Sequence, residues 1–99
     1  MTASTPWYLY VVECSDNTLY TGITPDLKRR LKLHNSGRGA AYTASRTPVQ
    51  YVGTWKFLDR SAALRAEIAF KQLSRERKLR HISTELNFRG SQFLLPDAS

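Results

Sequence analysis

Glu67 is the only acid in "SAALRAEIAFKQL". On a helical wheel it falls between Ala63 and Phe70 on one side and Leu64 on the other. A carboxylate with apolar neighbours is costly unless something compensates its charge. Two partners fit. Lys71, one turn on, can form an i,i+4 ion pair worth about 0.2–0.5 kcal/mol. Alternatively, the carboxylate can bind a hard cation such as Mg²⁺, which takes one or two carboxylates and keeps several waters. Spacing alone leaves both open. In "DLKRRLKLH", Arg30 and His34 are four apart and share a helix face, with Leu27 and Leu31 beside them. On spacing alone they read as a snorkelling arginine and a surface histidine at the border of a buried stripe. Tyr10 and Tyr20 stand in "WYLYVVEC" and "LYTGIT", and Gly22 interrupts the second run. A three-residue loop over Ser15–Asn17 pairs Cys14 with Thr18 and Tyr10 with Gly22, placing the two tyrosines diagonally on one face. A two-residue Asp16-Asn17 turn would point them to opposite faces. Glycine opposite Tyr10 leaves space in which a ligand or backbone could approach closely.

The elements that must position these groups follow from pattern. Residues 7–14 form a strand that is apolar on both faces except at Glu13, as in strands covered on both sides. "SDN" is a turn by composition, and 18–24 is the returning strand. Asp26 is the N-cap of a helix that runs to about Ser36 and stops at Gly37. "GRGAAYTASRTP" reads as a loop. Residues 49–58 form a third strand. Asp59 or Ser61 caps a helix over about 61–74. Ser74 caps another over about 75–85, with Leu79, Ile82 and Leu86 spaced for one face. The fold class is α+β, a small three-stranded antiparallel sheet flanked by helices in the order β-β-α-β-α-α. One domain spans 1–99, with its core at about 7–86. The tail over 87–99 is weakly patterned and "PDAS" reads as a frayed end.

Composition narrows the partners. Fifteen Lys and Arg against eight Asp and Glu give a net charge of +7. Six of the basic residues (Lys28, Arg29, Arg30, Lys32, Arg38, Arg46) lie between 26 and 46, opposed only by Asp26. Five more (Lys71, Arg75, Arg77, Lys78, Arg80) lie between 71 and 80, opposed only by Glu76. Two clusters on one small domain suit a phosphate-binding surface, and nucleic acid is the expected partner. One cysteine, Cys14, excludes an internal disulfide and reads as a buried thiol. Two histidines and one cysteine argue against an all-protein zinc cage. No signal peptide or membrane-length apolar run is present, which points to a cytoplasmic protein with no membrane partner.

The ordered series of Tyr8-Leu9-Tyr10, Tyr20-Thr21-Gly22, "DLKRRLKLH" and "ALRAEIAFKQL" resembles the GIY-YIG nuclease superfamily. More narrowly, it looks like the small single-domain bacterial group with the pattern LYTGIT…RRL…H…G.GA…T…P…AL..E…K.L. The resemblance covers about residues 7 to 82. The chain departs from the motif at Tyr8-Leu9, where Gly-Ile is usual, and at Thr21, where isoleucine is usual. An asparagine that some family nucleases carry in the last helical segment has no counterpart here.

Position by position, the resemblance implies a catalytic set of Tyr10, Tyr20, Arg30, His34 and Glu67. Tyr20 is the better candidate for a general base or water-orienting group. An ordinary phenol is a poor base at neutral pH, so its proton would have to leave under the influence of Arg30 or metal-bound water. Arg30 would stabilise charge on the scissile phosphate, worth about 10³ or more in rate. His34 would orient or protonate. Glu67 would hold one Mg²⁺ or Mn²⁺ ion. Gly22 would let the DNA backbone or water come close, and Asn35, Thr43, Arg46 and Lys71 would contact or support substrate. The implied function is a metal-dependent DNA endonuclease, of use in repair or recombination. The alternatives are a nucleic-acid binding module on the same fold, which should tolerate loss of Glu67, and a structural protein of a ribonucleoprotein. Larger relatives of this kind add a DNA-binding domain. A single domain would instead read backbone and shape unless a protein partner supplies targeting, with a monomer or weak dimer both open.

Overall fold

A computed structural model describes residues 5–87, with side chains through Ile82. Seven elements follow in order: β1 (Trp7–Glu13), β2 (Leu19–Thr24), α1 (Leu27–Asn35), α2 (Ala41–Ala44), β3 (Gln50–Phe57), α3 (Arg60–Lys71) and α4 (Arg75–Asn87). The expected α+β architecture is present, with one addition. The segment read as a loop contains α2, a single helical turn in which the Thr43 hydroxyl donates to the Ala40 carbonyl. One turn is too short for hydrophobic periodicity to reveal. The weakly patterned tail beyond Asn87, with its "PDAS" end expected to fray, lies outside the described residues, as does the Leu86 side chain.

The strands form an antiparallel sheet in the order β2-β1-β3. Alternation along β1 sends Leu9 and Val11 to one face and Tyr10 and Val12 to the other, and both faces are covered. Leu9, Val11 and Trp55 pack with Ala66, Phe70 and Ile82 of α3 and α4. Tyr10, Val12, Cys14 and Val49 pack with Leu27 and Leu31 of α1. Cys14 is a buried free thiol, as expected. Ile82 joins the core, whereas Leu79 is 42% exposed.

The hairpin takes the three-residue loop. The Cys14 amide donates to the Thr18 carbonyl at 2.8 Å, and Asn17 turns the chain at φ 69°. A positive φ is tolerated by Asn more readily than by most residues. Tyr10 therefore pairs with Gly22 and Val12 with Tyr20, and the two tyrosines share the α1 face. A bulge in the β1–β3 pairing between Val11 and Val12 brings Tyr51 opposite Val12 on that same face. Helix α1 is placed by its cap: the Asp26 carboxylate accepts from the Arg29 amide at 3.0 Å, and the Asp26 amide donates to the Thr24 hydroxyl. Asp59 rather than Ser61 caps α3, accepting from the Ala62 amide at 2.9 Å. Ser74 accepts from the Arg77 amide at the start of α4.

Gly22 corrects the reading that glycine leaves room for a ligand. The Tyr10 ring itself crosses the glycine. A Cβ there would stand 2.6 Å from the phenol oxygen and 2.8 Å from the carbon bearing it. The Tyr10 phenol is fully buried and hydrogen-bonded, so it has nowhere to retreat. Gly22→Ala is expected to destabilise the protein by about 1–3 kcal/mol, as overpacking does. Urea denaturation measures it, and a loss under about 0.5 kcal/mol would show that the phenol can move aside.

Candidate active site

The Tyr10 hydroxyl is the junction of the candidate site. His34 Nε2 lies 2.8 Å away, and Arg30 Nε donates to the phenol oxygen at 3.2 Å. On the far side of the imidazole, His34 Nδ1 is 2.8 Å from the Thr43 hydroxyl. Arg30 also donates through an Nη2 hydrogen to the Gly39 carbonyl at 3.0 Å. Tyr10, His34 and Thr43 are all 0% exposed. The surface-histidine reading of His34 is therefore overturned: spacing gave its helix face but not the strand and the turn that cover it.

The proton positions follow from counting donors. The Thr43 hydroxyl has one hydrogen, and it donates to the Ala40 carbonyl. It therefore accepts from His34 Nδ1–H. His34 Nε2 is left as an acceptor and takes the Tyr10 O–H, while the phenol oxygen accepts from Arg30. The opposite tautomer would leave the Tyr10 hydrogen without an acceptor in a buried site, at a cost of about 1–3 kcal/mol. The chain runs Arg30, Tyr10, His34, Thr43, Ala40, each donating to the next. The electrostatics agree. Burial raises the Tyr10 pKa, opposed by its hydrogen bond from Arg30, so the phenol keeps its proton. Burial, then the nearby Arg30 charge, lowers the His34 pKa and keeps the imidazole neutral.

Further groups pack against this chain. Tyr20 meets the His34 ring edge-on at 5.5 Å and stacks on Tyr42 at 5.9 Å with planes 20° apart. Tyr51 meets Tyr10 edge-on at 5.5 Å and donates its hydroxyl to the Leu27 carbonyl. Gly39 lies so close under the imidazole that any Cβ would collide with His34 Nδ1. Sequence reasoning missed the roles of Gly39 and Tyr51. The signal for the glycine was the pair of glycines in "GRGA", of which Gly37 takes the positive φ of 84° that ends α1.

Glu67 approaches from α3. Its carboxylate lies near enough to the Tyr10 phenol to oppose ionisation there. Its side chain is only 15% exposed, and Lys71 Nζ stands 3.1 Å from Glu67 Oε2. The i,i+4 ion pair therefore forms. Lys71 also lines a cleft of about 270 Å³ with Leu19, Tyr20, Thr21, Tyr42 and Lys78. Among the described residues no group of three or more His, Cys, Asp or Glu could cage a metal. A single carboxylate beside a cleft fits a hard cation that keeps its waters and completes its shell with substrate oxygens.

Two predicted substrate contacts are engaged in the scaffold. The Asn35 side chain donates to the Val49 carbonyl at 3.1 Å and accepts from the Val49 amide at 2.7 Å, tying α1 to the start of β3. Arg46 pairs with Asp16 at 3.1 Å, donates to the Tyr42 carbonyl and lies 3.9 Å over the Tyr42 ring. Thr43 serves His34 from inside the protein. Tyr10, Tyr20, Arg30, His34, Gly22 and Thr43 are thus brought together on the α1 side, with Glu67 and Lys71 reaching the same region from α3.

Comparison with known proteins agrees with this arrangement. The profile of the GIY-YIG catalytic domain matches residues 6–80. The chain belongs to the GIY-YIG family. A UPF0213 protein of Streptococcus agalactiae is 51% identical over 82 residues, covering 83% of this chain and 93% of the relative. Another from Haloquadratum walsbyi is 51% identical, covering 81% of this chain and 92% of that protein. Among solved structures, a protein from E. faecalis is similar with a TM-score of 0.61 and 39% identity, covering 93% of this chain and 98% of that one. A UPF0213 protein of Bacillus halodurans gives a TM-score of 0.53 at 40% identity, covering 88% of this chain and 98% of that chain. GIY-YIG domains form a superfamily of nucleases. Among the described residues no helix is long and apolar enough to cross a membrane.

The neutral imidazole has a consequence for stability. A histidine whose folded pKa lies below its unfolded value binds fewer protons when folded. Stability is then fully present above the unfolded value of about 6.5 and declines as pH falls through it, by up to about 1.4 kcal/mol per pH unit for each such group. His81 is also depressed by burial and contributes with the same sign. Urea unfolding is expected to show stability falling from pH 7.5 to pH 5.5, with a shallower fall in His34→Asn. An unchanged slope in that variant would contradict the buried neutral imidazole.

Proposed function

We propose that the chain is a metal-dependent endonuclease that hydrolyses phosphodiester bonds in DNA. The observation that carries this reading is the fixing of Arg30. Two of its nitrogens are hydrogen-bonded to Tyr10 and Gly39, and the rest of a half-buried guanidinium, near Tyr20, is left for a ligand. A guanidinium held in this way is suited to a phosphate, which it can contact through a fork of donors. Family membership and the net charge of +7 support the same reading.

In the proposed reaction a water oxygen attacks phosphorus and loses a proton. The bond from phosphorus to the leaving oxygen breaks, and that oxygen gains a proton. Tyr20, at the cleft, orients the attacking water. Arg30 binds the phosphate and stabilises the charge that develops on it. Tyr10, His34 and Thr43 are fully buried, so they act as positioning residues that set the direction and charge of Arg30. Glu67 would hold one Mg²⁺ or Mn²⁺ ion, which supplies Lewis-acid polarisation of the phosphoryl group. One observation favours the alternative of a nucleic-acid binding module: Lys71 already neutralises Glu67.

Cleavage of labelled single-stranded, duplex and branched DNA with Mg²⁺, Mn²⁺ or EDTA separates the two readings. Metal-dependent nicking is expected, lost in Glu67→Gln and reduced about 10³-fold in Arg30→Ala. Both variants must first be shown to fold. Binding without cleavage, unchanged by Glu67→Gln, would leave the binding module.

A further inference from the structure

We propose that Lys71 is an exchangeable cation. It neutralises Glu67 while the site holds no metal, and it swings into the neighbouring cleft, beside Lys78, when a divalent cation takes its place. The inference rests on the reading of Glu67 as the metal carboxylate and adds a coupling between metal and nucleic acid that this reading does not contain.

Three observations lead to it. First, Glu67 is 15% exposed and sits among Ala63, Leu64 and Phe70 on α3, so its charge needs a cation beside it at all times. Second, Lys71 is a loosely held partner. Its side chain is 53% exposed, so the ammonium keeps its access to water while the buried partner in the pair is the carboxylate. Four flexible methylenes let the ammonium move with little penalty. Third, the destination already exists. Lys71 lines the same cleft as Tyr20, Tyr42 and Lys78, so its ammonium passes from carboxylate to cleft by rotating its own side chain. The carboxylate's partner is Lys71, while Lys78 on α4 holds its ammonium 5.9 Å from the Phe70 ring centroid. With Lys71 it gives the cleft two basic side chains suited to a phosphate oxygen.

The exchange makes two ligands cooperative. A cation on Glu67 frees Lys71 for a phosphate oxygen, and a phosphate in the cleft draws Lys71 off the carboxylate. By linkage each must then strengthen the other by the same factor. Without Lys71 that coupling shrinks, and the cation no longer displaces a positive charge.

Mn²⁺ binding followed by electron paramagnetic resonance tests this without reference to turnover. Wild type, Lys71→Met and Lys78→Met are titrated with Mn²⁺ alone and then with a short oligonucleotide carrying a non-hydrolysable backbone. In the absence of oligonucleotide, Lys71→Met is expected to bind Mn²⁺ about threefold or more tightly than wild type, while Lys78→Met matches wild type. Oligonucleotide should tighten Mn²⁺ binding in wild type and do so less in Lys71→Met. Equal or weaker Mn²⁺ binding by Lys71→Met, or no binding by either protein, overturns the exchange. Failure of the nuclease reading looks different: Lys71→Met then gains Mn²⁺ affinity, yet wild type cuts no DNA.

Discussion

The hydrogen bond from the Tyr10 hydroxyl to His34 Nε2 is the contact on which the rest of the site depends. It joins the central strand to α1 across the edge strand, and it can form only if the phenol passes over β2. That requires the three-residue hairpin loop, which sets Tyr10 opposite residue 22, and it requires residue 22 to have no side chain. The imidazole at the other end must be turned to accept. Thr43 turns it, and Thr43 in turn exists as a helical residue only because α2 forms. Gly39 closes the arrangement by lying against the ring and offering its carbonyl to Arg30.

A neutral interior and a charged rim result. Phenol, imidazole and threonine hydroxyl are all uncharged and fully paired, which makes their burial tolerable. The one charge attached to them, on Arg30, is carried at the border. Across the sheet edge a charged pair, Glu67 and Lys71, sits on α3, which packs on the opposite face. The cleft lies where these two layers meet beside β2. A phosphodiester seated there would meet Tyr20 and Tyr42 from one layer and the lysines of α3 and α4 from the other.

Much of this was legible in the sequence because it depends on short-range rules. Strand alternation put Tyr10 and Tyr20 on one face once the loop length was chosen. Asp26 and Asp59 announced their helices, and the lone acid among alanines drew attention to Glu67. What stayed hidden depends on contacts between distant segments. Nothing local distinguishes a surface histidine from one sealed by Tyr10, Tyr20 and Gly39. The family resemblance implies substrate contact or support for Asn35, whereas its amide matches the backbone of Val49, fourteen residues on. Gly22 was noticed for the correct reason, a need for space, but that space is filled by the protein itself. Two departures from the family motif, Leu9 and Thr21, leave the network untouched, since both are buried on the other face from Tyr10.

The tautomer of His34 decides whether Tyr10 and Arg30 are held as described. ¹⁵N–¹H NMR of the imidazole nitrogens at pH 7 reads it without a mutation. A donor chain from Arg30 to Ala40 requires a proton on Nδ1 and none on Nε2, with the ring neutral. A proton on Nε2, or an imidazolium at that pH, would contradict the donor chain from Arg30 to Ala40 and with it the fixed presentation of the guanidinium.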